Sequence, residues 1–126
     1  MPRRVVAGRR VGDLETEILQ HLWELQGPAT GRELLQRIGR PALAYTTLMT
    51  VLGRLVDKGL AERVPDGRTV RYRAAGDLDE LTAKAIRELL AAARDRQAVL
   101  AHLVEDYGDA SLAAELAAAL RRVGRR

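Results

Sequence analysis

The sequence contains no cysteine. Disulfides, zinc-finger cages, iron–sulfur clusters and thiolate chemistry are thereby excluded. It has one serine, Ser111, in an alanine-rich stretch without nucleophile-elbow glycines, and two histidines, His21 and His102. Each histidine reads as a helix-surface or interface residue rather than a ligand. Neither H-E-x-x-H nor G-x-x-x-x-G-K-S/T is present. Gly27–Arg32 (GPATGR) only superficially suggests a phosphate loop, since it lacks the lysine and a preceding strand. The carboxylate pairs Glu15/Glu17 and Glu105/Asp106 do not face one another on a helix and read as solvated faces. Catalysis, a cofactor and a bound metal are therefore not expected. Long apolar runs are also missing. The longest uncharged run, Pro41 to Gly53, is 13 residues with three threonines, too short and too polar to span a bilayer. The basic start, Met1–Arg10, is not followed by an apolar segment of the kind a signal peptide carries, so a cytoplasmic protein is expected.

What is present is arginine, alanine and leucine. The chain has 126 residues, 47% apolar and 30% charged, enough for one domain or a small domain with an appendage. Net charge is +4, and 19 of the 21 basic residues are arginine. Arginine forks onto phosphates and guanine edges, although codon bias in a GC-rich genome gives the same composition. Position favours the first reading. Arg3, Arg4, Arg9 and Arg10 precede the first acidic residue, Asp13, and Arg37 to Arg73 carries eight basic residues against Asp57, Glu62 and Asp66. Such concentration raises the case for nucleic acid.

Residues 1–12 read as a basic, loosely ordered arm. Asp13 is a plausible N-cap for a first helix carrying Leu14, Ile18, Leu22 and Leu25 with Trp23 beside them, stopped by Gly27-Pro28. Thr30 and Glu33 form a capping box opening a second helix with Leu34, Leu35 and Ile38 on its buried stripe, closed by Gly39 and Pro41. A third helix is predicted from Tyr45 to Lys58. Leu48, Val51, Leu52, Leu55 and Val56 make its apolar face; Thr46, Met49, Thr50, Gly53 and Asp57 lie opposite, with Thr47 and Arg54 at the edges. Gly59 is a natural stop. A strand over Leu60–Val64, a turn at Pro65–Arg68 and a return strand over Thr69–Ala74 follow, with Val70 and Tyr72 on one face and Arg71 and Arg73 on the other. Three short helices followed by a hairpin is the winged helix-turn-helix order, so residues 13–76 are expected to be a DNA-binding domain in a mainly α chain with a small β-hairpin wing.

Residues 77–126 hold 13 alanines and nine leucines and little turn chemistry beyond Gly108. Asp77 and Glu80 can cap a fourth helix with Leu78, Leu81, Ala85 and Leu89. A fifth would carry Val99, Leu100, Leu103 and Val104. Asp109 could cap a sixth carrying Leu112, Leu116, Leu120 and Val123. Such a segment makes a poor core alone. A second copy of the chain is the economical partner, with Leu81, Leu89, Leu100, Leu103, Leu112, Leu116 and Leu120 as interface candidates; folding back on the first domain is the alternative.

In a winged helix-turn-helix the third helix lies in the major groove. Its exposed N-terminal face here, Thr46, Thr47, Met49 and Thr50, can meet base edges and thymine methyls, although threonines in a first turn also cap backbone. Gly53, in mid-helix, would let DNA approach closely, though it needs no such reason. Arg54, Arg68, Arg71 and Arg73 are candidate phosphate contacts, and the arm, through Arg9 and Arg10, could add more.

Gly12 to Trp23, G-D-L-E-x-x-I-L-x-H-L-W, resembles the opening helix of the BlaI/MecI family, the penicillinase and methicillin-resistance repressors. Ala44 to Leu60, A-Y-T-T-L-M-T-V-L-x-R-L-x-x-K-G-L, is similar to that family's recognition helix, and the wing ending Arg71-Tyr72-Arg73 is similar too. These motifs cover about residues 12–75; the C-terminal helices agree in length and character. The resemblance implies a homodimeric repressor of resistance or stress genes on a palindromic operator, base contacts from Thr46, Thr47, Met49 and Thr50, dimerisation through the C-terminal helices, and a membrane metalloprotease sensor as partner. Two departures bear on induction. The well-known members are cleaved at an Asn-Phe bond, and this chain has neither asparagine nor phenylalanine. Copper-responsive relatives carry a C-terminal cysteine cluster, which is absent here. A protein-interaction module on the same fold is the rival reading; it would show partner association with no sequence-specific DNA binding.

Overall fold

A computed structural model describes residues 4–106 and 110–124 of the chain. Its elements run β1 (Arg4–Val6), β2 (Arg9–Val11), α1 (Asp13–Glu24), β3 (Ala29–Thr30), α2 (Gly31–Ile38), α3 (Tyr45–Asp57), β4 (Ala61–Asp66), β5 (Thr69–Ala74), α4 (Leu78–Ala92), α5 (Arg96–Asp106) and α6 (Ala110–Gly124). The mainly helical chain with a small hairpin is the winged helix-turn-helix architecture the sequence predicts.

The three helices of the first unit form because each carries one apolar stripe and a defined end. In α1 the cap is Gly12, not Asp13. Asp13 stands inside the first turn, where its charge favours the positive end of the helix dipole. The capping box of α2 is complete: Thr30 Oγ1 accepts from the Glu33 amide at 3.1 Å and the Thr30 amide donates to Glu33 Oε1 at 3.2 Å. Helix α3 ends at Gly59, whose φ of +74° is the left-handed conformation. The Gly59 amide donates to the Val56 carbonyl and the Leu60 amide to the Leu55 carbonyl, both at 2.9 Å. This pairing buries Leu60 at the point where the chain turns into the wing.

The stripes meet in one core. Ile18 and Leu19 of α1, Leu34 of α2, and Leu48, Leu52 and Leu55 of α3 are essentially inaccessible to solvent, joined by Val11 and Leu60. The sheet has the order β3-β5-β4, all antiparallel. Strand β3 pairs Ala29 with Tyr72 and Thr30 with Arg71, so the start of α2 is sewn to the wing. It is only two residues long and has no signature in the sequence. Strand β4 runs to Asp66, past the turn predicted at Pro65. Pro65 opposes Val70 on an edge strand, where the missing amide costs no ladder bond. Tyr72 is buried as expected, whereas Val70, on the same face, lies beyond the core near the wing tip and is exposed. The Trp23 indole donates to the Gly76 carbonyl at 2.9 Å, fastening the exit of the wing to α1.

Three expectations are corrected here. Residues 4–11 are not a loose arm but an antiparallel hairpin, with Val6 opposite Arg9. Its two-residue turn, Ala7-Gly8, has positive φ at both positions, as a hairpin of right-handed twist requires. Ala7 and Val11 are buried, and Ala85 of α4 lies 3.8 Å from where a Gly8 Cβ would stand. Leu81 is not an interface residue: only 4% exposed, it belongs to the core of the first unit, which runs to Ala85. Glu15 is not on a solvated face. It is buried and paired with Lys58 at 2.5 Å, and Glu17 pairs with Arg40.

The second unit starts at Ile86. The Asp77–Glu80 cap of α4 forms as predicted, with the Glu80 amide donating to Asp77 Oδ1 at 2.8 Å. Leu89, Leu100, Leu103, Leu116 and Leu120 are exposed in the single chain, and Leu112 is half-buried. The proposed Asp109 cap lies outside the described residues. No described helix is long and apolar enough to cross a membrane.

Leu52 has no exposed surface and belongs to the core of the first unit. Leu52→Ala is expected to lower the unfolding free energy by about 2–5 kcal/mol in urea denaturation.

Candidate nucleic-acid interface

The apolar stripe of α3 faces inward, so its other side is fixed outward. Thr46, Thr47, Thr50 and Arg54 are exposed and Gly53 is half-buried. Thr46 and Gly53 are seven residues apart and therefore lie on one line along the helix. The N-cap is Ala44, which makes no side-chain cap, and no acidic residue occupies the first turn. The unpaired amides and positive dipole end are thus left open to an anion. Among the described residues the hydroxyls of Thr46 and Thr47 make no hydrogen bond, so they are not used as caps. Thr50 Oγ1 donates to the Thr46 carbonyl at 3.0 Å, which leaves its lone pairs and methyl outward.

Met49 does not stand with the threonines. It is half-buried, and its Sδ lies 2.6 Å from the point a Gly31 Cβ would occupy. Only glycine at 31 lets the Met49 side chain seat there. Met49 instead lines a cleft of about 450 Å³ bounded by the start of α2, the first turns of α3 and β5, with Thr30, Arg32, Tyr45, Thr69 and Val70 around it. The Arg32 guanidinium lies over the Tyr45 ring, 4.7 Å from its centroid.

The basic residues divide into two groups. Arg71 and Arg73 are neutralised within the chain. Arg71 Nε donates to Asp66 at 2.7 Å and its Nη1 to Glu33 at 2.8 Å; Arg73 Nε donates to Glu62 at 2.6 Å. The Asp66 hydrogen bond first, then the Glu33 charge, hold Arg71 more firmly protonated than usual. Glu33 is held below the ordinary carboxylate range, mainly by the Thr30 amide and hydroxyl and then by Arg71. One carboxylate therefore closes the α2 cap and ties down the wing. Arg54 and Arg68 are exposed and have no carboxylate partner among the described residues. Arg9 and Arg10 are exposed on β2, but the structure does not bring them to the N-terminal turn of α3. Lys58, at the other end of α3, donates to the Arg10 carbonyl at 2.7 Å, about 18 Å along the helix from Thr46.

Sequence reasoning missed three residues. Arg32 carries no signal beyond its charge. Glu33 was legible as a cap but not as the partner of Arg71, 38 residues away. Arg63, on β4, reaches back across α3 and places its Nη2 3.8 Å from the Cβ position of Gly53. A mid-helix glycine costs about 1 kcal/mol against alanine, and an alanine Cβ here would meet that guanidinium only at ordinary contact distance. Among the described residues no group of acidic, histidine or cysteine side chains could hold a metal.

The penicillinase repressor family model matches residues 11–123. This chain belongs to the penicillinase repressor family. A curated relative from Mycobacterium tuberculosis (strain H37Rv), named transcriptional regulator BlaI, is 44% identical over 117 residues, covering 90% of this chain and 81% of the relative. Among solved structures, a MarR family protein from Bacillus stearothermophilus is 25% identical, with 91% of this chain and 74% of that chain covered and a TM-score of 0.47. The transcriptional regulator Tm0710 from Thermotoga maritima is 22% identical, with 90% and 74% covered and a TM-score of 0.47. The penicillinase repressor match takes in the whole described part of α3 and the wing as well as most of the C-terminal helices.

Thr30→Ala removes the side-chain half of the α2 cap and is expected to cost roughly 0.5–2 kcal/mol in thermal or urea unfolding. Glu33 contributes stability that is fully present above the ordinary carboxylate value of 4.5 and is lost as pH falls through its lower folded value. Glu33→Gln should therefore flatten the acid limb of a melting-temperature-against-pH curve, with the variant closest to wild type at the lowest pH.

Proposed function

We propose that the chain is a sequence-specific DNA-binding transcriptional repressor that acts as a homodimer on a two-fold symmetric operator. The observation that carries this reading is the outward stripe of α3, with two threonine hydroxyls uncommitted and the helix N-terminus uncapped. In this reading Thr46, Thr47 and Thr50 meet base edges in the major groove. Met49 touches only what enters the cleft beside them. Arg54 and Arg68 take phosphates, which position the protein without reading sequence. Arg71 and Arg73 hold the wing in place through Glu33, Asp66 and Glu62, and Arg9 and Arg10 reach only DNA that continues past the far end of α3.

Dimerisation is supported by the leucines of the second unit. Leu89 and Leu120 are each 72% exposed and Leu100, Leu103 and Leu116 more than two-fifths. A soluble monomer rarely leaves so many apolar side chains uncovered, and an isologous contact between two copies covers them on both. Repression follows by occlusion: two α3 helices in successive major grooves exclude polymerase from the site. The resistance-gene targets and the metalloprotease partner come with the family likeness. Cleavage in this chain would have to fall at a bond other than Asn-Phe.

The test is selection of bound sites from a random duplex library at about 150 mM salt, where screening suppresses loose electrostatic binding. A symmetric motif with half-sites about one helical turn apart is expected. On that motif Thr46→Ala or Thr47→Ala should change the preferred base at one position per half-site, by about 1–3 kcal/mol of discrimination, with the salt dependence unchanged. No motif, together with salt-insensitive association with a protein partner, would favour the interaction-module reading.

A further inference from the structure

We propose that Arg32, from the start of α2, and Arg63, from the wing, clamp the DNA backbone beside α3. The inference rests on the reading that α3 enters DNA, and it names which cations meet the phosphates there. Two observations converge on it. First, the two wing arginines that strand alternation singles out are already occupied: Arg71 by Asp66 and Glu33, Arg73 by Glu62. A phosphate would meet charges already balanced by those carboxylates. Arg32 and Arg63 are exposed and have no carboxylate partner among the described residues, so an anion meets their full charge.

Second, both guanidiniums already lie close to α3, and Arg32 is restrained there by stacking. Arg32 is stacked on Tyr45 at the first residue of the helix. Arg63 lies over Gly53, with its Nη2 3.8 Å from the Cβ position. An alanine there would make ordinary van der Waals contact with it. Restraining a long side chain before binding reduces the ordering cost paid on contact, and a planar guanidinium loses less freedom per bond than an ammonium.

The experiment measures the equilibrium constant against salt concentration for the full chain on its selected duplex, comparing wild type with Arg32→Ala, Arg63→Ala, Arg63→Lys and Arg73→Ala. Losing one phosphate contact lowers the slope of log K against log salt by about 0.9, so about 1.8 for a dimer. That fall is expected for Arg32→Ala and for Arg63→Ala, with the base preference unchanged. Arg63→Lys should keep the wild-type slope, and Arg73→Ala should change it less than either. Melting temperatures check that each variant is folded, and Arg63→Gln replaces Arg63→Ala if the alanine variant is not. Slopes equal to wild type in both alanine variants overturn the clamp while leaving the DNA reading intact. An altered base preference with an unchanged slope puts Arg63 on a base edge and also overturns it. A wild-type chain that binds no duplex overturns both the clamp and the reading beneath it.

Discussion

The burial of Leu48, Leu52 and Leu55 is the constraint on which everything else depends. These side chains reach 0% exposure against Ile18, Leu19 and Leu34. At that depth α3 cannot rotate about its axis without exposing an apolar stripe, at roughly 25 cal/mol for each Å² returned to water. The orientation of Thr46, Thr47, Thr50 and Gly53 is a consequence of that packing. So is the position of the wing, because α3 ends in the Gly59 turn that buries Leu60 and delivers the chain directly into β4. A recognition surface built this way needs no side chain of its own to hold it in place. It is the reverse side of the core.

Electrostatics then distributes the roles among the arginines. Two of the wing arginines serve the fold: Glu33, Asp66 and Glu62 hold them, and β3 joins the wing to the start of α2 through Thr30 and Arg71. Glu33, which also caps α2, adds a side-chain link to the backbone pairing that joins the helix-turn-helix to the wing. Other guanidiniums carry no internal counter-charge and are free to meet an anion. A basic composition alone does not separate these groups, since all carry the same formal charge. What separates them is whether a carboxylate lies within hydrogen-bonding reach, and for Arg71 that carboxylate is distant in sequence.

Much of the fold was legible from local chemistry. The Thr30–Glu33 capping box, the Gly59 stop and the return strand Thr69–Ala74 depend on residues within a few positions of one another, and each formed where it was predicted. What was not legible depends on distant contacts. The hairpin of residues 4–11 is three residues to a strand, turns on Ala-Gly rather than on Asn-Gly, and is masked by its arginines; its burial comes from packing near α4. Leu81 looks like any other leucine of the C-terminal stripes, yet its place is in the first core. Met49 has the helical phase of the exposed threonines, but a long flexible side chain beside a glycine folds sideways into the gap at Gly31. Glu15 is buried because Lys58, across the domain, neutralises it. The exposed stripe of α3 and Arg54 at its edge were thus readable, whereas Arg32 and Arg63 were not.

Packed in this way, α3 presents its outward stripe to the major groove of bound DNA. Dimethyl sulfate protection of the complex on its selected duplex tests this most directly, because methylation at guanine N7 reports the major groove and at adenine N3 the minor groove. Guanine N7 should be protected in two patches about one helical turn apart, with adenine N3 between them still reactive. Protection confined to adenine N3, or no protection on a duplex that is demonstrably bound, would contradict it.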